Sequence, residues 1–292
     1  MKPPSFEYYD PATVEETVSL LVEHQGEAKI LAGGQSLMPL LNMRLARPGV
    51  VIDVNRVADL DYIREDHGRL IIGAMTRQRA LERSDLVQRL QPLLHAATLC
   101  IAHPQIRNRG TFGGSLAHAD PAAEYPAVAI ALDAELRAVG PNGVRTIKAG
   151  DFFTTYLTTA LEPTELLTEV RLPAQPERSG WSFLEISRRH GDFALAGVAV
   201  TLTLDAAEKC SAARIVLFGV ASTPVRAGDA EQLLIGESPS EQLFEQAGQQ
   251  ASAAIDEPLS DVHAPAQYRR HVAQVLTRRA LAEAARRAGA TD

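Results

Sequence analysis

The chain has 292 residues, 46% of them hydrophobic, which suffices for a substantial core and for two or three domains. Its formal charge is −7, and its lysines and arginines alternate with acids instead of forming a block. That distribution argues against a nucleic-acid partner, which favours a concentrated positive surface. Cys100 and Cys210 stand too far apart for a local zinc or iron–sulfur signature, and no disulfide framework is implied. No stretch approaches the roughly 20 apolar residues that span a bilayer, and residues 1–9 contain no apolar signal core. A cytoplasmic protein is expected, with peripheral membrane association through a partner left open.

In chain order, Thr13 and Glu16 have capping-box spacing. They open a predicted helix to His24 whose apolar side is Val14, Val18, Leu21 and Val22. Ala28–Leu31 reads as a short strand running into Ala32-Gly33-Gly34-Gln35-Ser36. A compact helix near 37–45 and a strand over Val50–Val54 complete a small α/β unit.

A second unit begins with a strand at Leu70–Gly73. Leu86, Leu90, Leu93 and Leu94 form a helical stripe, and Leu99–Ala102 leads toward Thr111-Phe112-Gly113-Gly114-Ser115. Asp120 and Pro121 have the pattern of an N-cap followed by proline at N1, predicting a helix through Val128 and Leu132. Pro141-Asn142-Gly143 is a turn between strands at Ala134–Val139 and Val144–Ile147. A strand at Leu166–Leu172 ends at the proline-containing boundary 173–176.

Beyond it, strands are predicted at Trp181–Ser187, Leu195–Leu204 and Ala212–Gly219. Helices follow at Ala230–Leu234, Leu243–Ala254 and Tyr268–Ala288. The whole is an α+β chain: two N-terminal α/β subdomains (1–60 and 61–176), then an antiparallel sheet covered by helices (177–292).

Chemistry concentrates in the two glycine segments. Paired glycines let backbone N–H groups turn toward a phosphate without Cβ interference, and flanking hydroxyls add donors. Either pair alone is equally well a turn. Two together, with Gln35, Ser36, Thr111 and Ser115, point to an elongated dinucleotide cofactor. Neither segment is GxGxxG or a Walker loop, so ordinary NAD or ATP arguments do not transfer. Arg107 and Arg109 either neutralise phosphate or pair with acids. His118, Asp120 and Glu124 read more readily as loop and cap chemistry than as a metal cluster, and Glu124 suits a ribose or ribityl hydroxyl. No catalytic side chain and no metal ligand is assigned.

Three stretches carry a family resemblance: Ala32–Ser36, the run from Ile106 to Pro121, and Arg188-Arg189-His190-Gly191-Asp192-Phe193. Over nearly all of residues 1–288 the sequence resembles the medium, FAD-binding subunit of the xanthine dehydrogenase and carbon monoxide dehydrogenase family of molybdenum hydroxylases. The resemblance implies a PCMH-type FAD-binding module followed by a molybdenum-hydroxylase flavoprotein domain. It places the FAD pyrophosphate between 32–36 and 111–115. It also implies flavin contacts at Glu124, at Leu166 or Leu167, and at Phe193, where relatives often carry tyrosine. Some relatives place a lysine before the paired basic residues, where this chain has Leu184 and Glu185.

The implied partners are a small subunit with two [2Fe–2S] clusters and a large subunit with a molybdenum–pterin cofactor, in a dimer of heterotrimers. The implied role is an electron relay from the clusters through FAD to an external acceptor. The alternatives are a self-contained FAD oxidoreductase acting on small molecules and a non-enzymatic scaffold with a nucleotide-like pocket.

Overall fold

A computed structural model describes residues 2–289. The first unit is a parallel three-stranded sheet. Val50–Asp53 lies in the centre, flanked by Glu7–Tyr9 and Ala28–Leu31. The helix Val14–Glu23 covers it, burying Val18 and Leu21. Thr13 caps this helix by accepting from the Glu16 N–H at 3.1 Å, while the Glu16 carboxylate reaches back to the Ala12 N–H at 2.8 Å. The Glu7–Tyr9 strand was not legible in the sequence, because three residues beside a central strand make no periodic pattern.

The second unit is a five-stranded antiparallel sheet in the order Ile63–Asp66, Arg69–Gly73, Leu166–Leu172, Glu135–Gly140, Gly143–Lys148. Its first hairpin turns at His67 and Gly68, with φ of 49° and 77°. Two consecutive positive φ values match the right-handed twist of a two-residue hairpin.

Two sequence expectations for this unit are corrected. The leucine stripe 86–94 is two helices, Asp85–Leu90 and Pro92–Cys100. The backbone extends at Gln91, and Pro92 opens the second helix at N1. Asp120 does not cap the next helix. Its carboxylate accepts from the Ala122 N–H in a local turn, and the helix runs Glu124–Ala131 with Ala123 at the N-cap.

The C-terminal part is an antiparallel sheet of Ser179–Ile186, Ala196–Leu204, Cys210–Phe218 and the short Val225–Arg226. Alternation divides its residues between two cores. Val198, Val200, Leu202, Ile215 and Leu217 pack under the helices Glu241–Ala253 and Ala266–Ala288. Ala199, Val216, Phe183 and Phe218 pack instead against the second unit. The Phe183 and Phe218 rings stack at 5.3 Å, a contact worth about 1 kcal/mol beyond its area. Burial on both faces explains why Ala196–Leu204 reads as a continuous apolar run. Among the described residues, no helix is long and apolar enough to cross a membrane.

Candidate functional site

The fold brings the two glycine segments together. A Cβ on Gly33 would lie 2.4 Å from the Arg109 carbonyl oxygen and 2.7 Å from the Gly110 Cα. A Cβ on Gly114 would lie 3.3 Å from that of Ala32. The first segment therefore rests on the chain entering the second, closer than any side chain allows. Gly34 serves differently, taking φ +73° as the strand Ala28–Leu31 turns into the helix Leu37–Asn42.

The segments are not equivalent as anion seats. Among the described residues, the backbone N–H groups of 33–37 have no hydrogen-bond partner. The first N–H beyond them with one is that of Met38, which reaches the Gly34 carbonyl. Five consecutive open donors across a turn form a concavity suited to phosphate oxygens. Gln35 folds back to donate to the Gly33 carbonyl at 3.0 Å, and the Ser36 hydroxyl is left without a partner among the described residues.

The sequence makes 111–115 a loop; the structure makes it the first turn of the helix Phe112–His118 with Thr111 as N-cap. Its donors are satisfied internally. Phe112 N–H reaches the Thr76 carbonyl, Gly113 N–H that of Ala74, Gly114 N–H the Thr111 hydroxyl and Ser115 N–H the Thr111 carbonyl. Gly113 is required because a Cβ would meet Ala74 at 2.5 Å. This segment is a wedge set against Ala32, with the Ser115 hydroxyl as its open donor.

The remaining candidates separate. Arg107 is buried and pairs with Glu82 at 2.9 Å, also donating to the Ile101 carbonyl at 2.6 Å, so it acts in packing. Arg109 is exposed and has no ion-pair partner among the described residues. Leu166 and Leu167 are both 5% exposed and point to opposite cores, leaving only backbone for a ligand. Phe193 is 68% exposed, on the loop between Ile186 and Ala196. That loop crosses to the second unit at Gly191 (φ +88°), where a Cβ would lie 2.4 Å from the His103 ring. Glu124 begins its helix, half-buried, and burial beside Glu185 pushes its carboxyl up to about 8.

Comparison with known proteins decides the family. Residues 4–175 match the FAD binding domain in molybdopterin dehydrogenase, and 181–284 match the CO dehydrogenase flavoprotein C-terminal domain. The chain belongs to the FAD-binding medium subunits of the molybdenum hydroxylases. It is 45% identical over 291 residues to the 6-hydroxypseudooxynicotine dehydrogenase complex subunit alpha of Paenarthrobacter nicotinovorans, covering 100% of this chain and 98% of that one. It superposes with TM-score 0.95 and 42% identity on a chain of carbon monoxide dehydrogenase from Hydrogenophaga pseudoflava, covering 98% and 99%. Quinoline 2-oxidoreductase from Pseudomonas putida 86 gives TM-score 0.93 at 36% identity, covering 99% of each chain.

Within this medium subunit, two residues of the site region escaped sequence reasoning. Asn55 Nδ2 donates to the Ala32 carbonyl at 2.9 Å, and its Oδ1 accepts from Arg77 at 2.5 Å. Arg77 also donates to the Arg109 carbonyl and forms an isolated antiparallel bridge with Thr111. A lone Asn and a lone Arg carry no motif, so no signal in one sequence marks them. Glu185 has a buried Oε2 with no hydrogen-bond partner among the described residues, and burial raises its carboxyl to about 7.

Proposed function

We propose that residues 33–37 seat the FAD pyrophosphate, with Ser36 and Ser115 as side-chain donors and Ala32, Thr111, Phe112, Gly113 and Gly114 shaping the seam. The observation that supports this most strongly is the row of five open N–H groups pressed against the second segment. Glu124, kept largely protonated by burial at neutral pH, offers both a donor and an acceptor to a ribityl or ribose hydroxyl. Leu166 and Leu167 contribute backbone beside the cofactor. Phe193 presents an apolar face without the hydroxyl of tyrosine.

FAD, when bound, would accept two electrons in successive one-electron steps and pass them onward, which suits a relay between one-electron and two-electron carriers. The chain's own residues bind and orient it, and no side chain acts as a nucleophile. In our reading the subunit accepts electrons from an iron–sulfur small subunit and passes them to an external acceptor. Substrate oxidation takes place at a molybdenum–pterin large subunit, within a cytoplasmic dimer of heterotrimers. The relatives support this division: their names span carbon monoxide, quinoline and 6-hydroxypseudooxynicotine, while the medium chain keeps one fold. The three larger sheets likewise support division at 1–60, 61–176 and 177–292.

The test is flavin content of Gly33→Ala against Gly150→Ala, the latter at a glycine of ordinary φ where a Cβ meets nothing within 4 Å. Loss of FAD in the first alone is expected. Equal FAD in both would remove 33–37 from the site.

A further inference from the structure

We propose that Arg77 is a positioning residue for the pyrophosphate. It ties the two glycine segments into one register and leaves an unneutralised positive charge at their seam. This deepens the reading of 33–37 as the phosphate seat and rests on it.

The argument begins with connectivity. Asn55 lies in the first unit, and its amide orientation is fixed because Nδ2 faces two acceptors, the Ala32 carbonyl and Asp53 Oδ1. Its Oδ1 is thereby left for the Arg77 guanidinium, at 2.5 Å. The same guanidinium donates to the Arg109 carbonyl, the oxygen that Gly33 approaches too closely for any Cβ. Through Asn55, the Arg77 side chain thus joins the backbone before the first glycine pair to the backbone before the second. The planar fork of arginine suits this two-way bond, and lysine's single ammonium does not.

Charge gives the second part. Both bonds of the guanidinium go to neutral acceptors, and among the described residues no carboxylate lies within ion-pair distance of it. Half-buried arginines elsewhere in the chain differ: Arg171 pairs with Glu169 at 2.6 Å and Arg214 with Asp133 at 2.9 Å. Burial and the neighbouring Arg109 make the Arg77 charge unfavourable, and Asp53 and Asp61 offset this only from a distance. A half-buried cation without a contacting acid, next to a row of open N–H donors, is an arrangement that a bound dianion completes.

The full chain, produced with its partner subunits, is prepared as wild type, Arg77→Gln, Arg77→Lys, Gly33→Ala and the control Arg145→Gln. FAD is removed and titrated back at several salt concentrations, and phosphorus NMR of bound FAD is recorded. We expect Arg77→Gln to weaken FAD binding by about tenfold or more, to flatten its salt dependence and to shift the pyrophosphate resonances. Arg77→Lys should retain the salt dependence with only part of the affinity, and Arg145→Gln should match wild type. The proposal is overturned if Arg77→Gln binds FAD like wild type. It is equally overturned if affinity falls only with melting temperature while salt slope and resonances stay unchanged. Failure of the underlying reading looks different: Gly33→Ala would then leave the wild-type resonances and affinity unaltered, and the proposal would fall with it.

Discussion

At Gly33 the first added atom collides with backbone, at 2.4 Å from the Arg109 carbonyl, so neither side can yield by rotating a side chain. At Gly34 the obstacle is conformational. A Cβ there meets only Leu31 Cδ1 and Met38 Cγ, at 3.2 Å each, but φ is +73°. Gly34→Ala should cost about 1–2 kcal/mol in denaturant unfolding and leave most of the FAD bound. A cost below that range would mean the turn relaxes. Glu185 offers a pH test. Its carboxyl is raised from 4.5 to about 7, so the folded state holds the proton over a range in which the unfolded chain releases it. Its contribution to stability is full below about pH 4.5 and is lost as pH rises through 7. Glu185→Gln should flatten the melting temperature across that window and raise it at pH 8; an unchanged profile would show that Glu185 is ionised in the folded chain.

Among the elements, the short helix Pro104–Arg107 matters most for the site, because it delivers Arg109 and Gly110 to Gly33. Its anchor is the Arg107–Glu82 pair, with side chains 8% and 13% exposed. Removing one partner strands the other, so Arg107→Met should destabilise by about 3 kcal/mol in denaturant titration. A loss under 1 kcal/mol would show that Glu82 finds another partner. Strands were legible in sequence where apolar runs mark them: Ala28–Leu31 and Leu166–Leu172 stand where those runs place them. The site was legible only in part. Gly-Gly flanked by hydroxyls marks both segments, yet nothing in the letters distinguishes an open turn from a capped helical start. That difference is set by Ala74 and Thr76, which lie far earlier in the chain and whose carbonyls take the 112 and 113 N–H groups. Asp120-Pro121 misled for a similar reason, since Asp120 closes its own turn before the helix begins.

At the scale of the whole molecule, the C-terminal sheet is held from both sides, by its own helices and by the flavin-binding units. The Arg188–Phe193 loop crosses that seam and rests on His103 at Gly191. Gly191→Ala, strained in φ and pressed on the imidazole, should increase protease cleavage between residues 187 and 195 while the C-terminal helices stay protected. Unchanged cleavage would mean that the loop is held by other contacts.

The central claim is that this chain is an electron relay fed by a partner rather than a complete enzyme. The direct measurement is anaerobic absorption of the isolated full chain reconstituted with FAD. It is taken first with carbon monoxide, quinoline or 6-hydroxypseudooxynicotine, then with a chemically reduced iron–sulfur partner subunit. The account predicts an unchanged flavin spectrum with every small molecule and bleaching once the reduced partner is added. Stoichiometric bleaching by a small molecule alone, or none by the reduced partner, would contradict it.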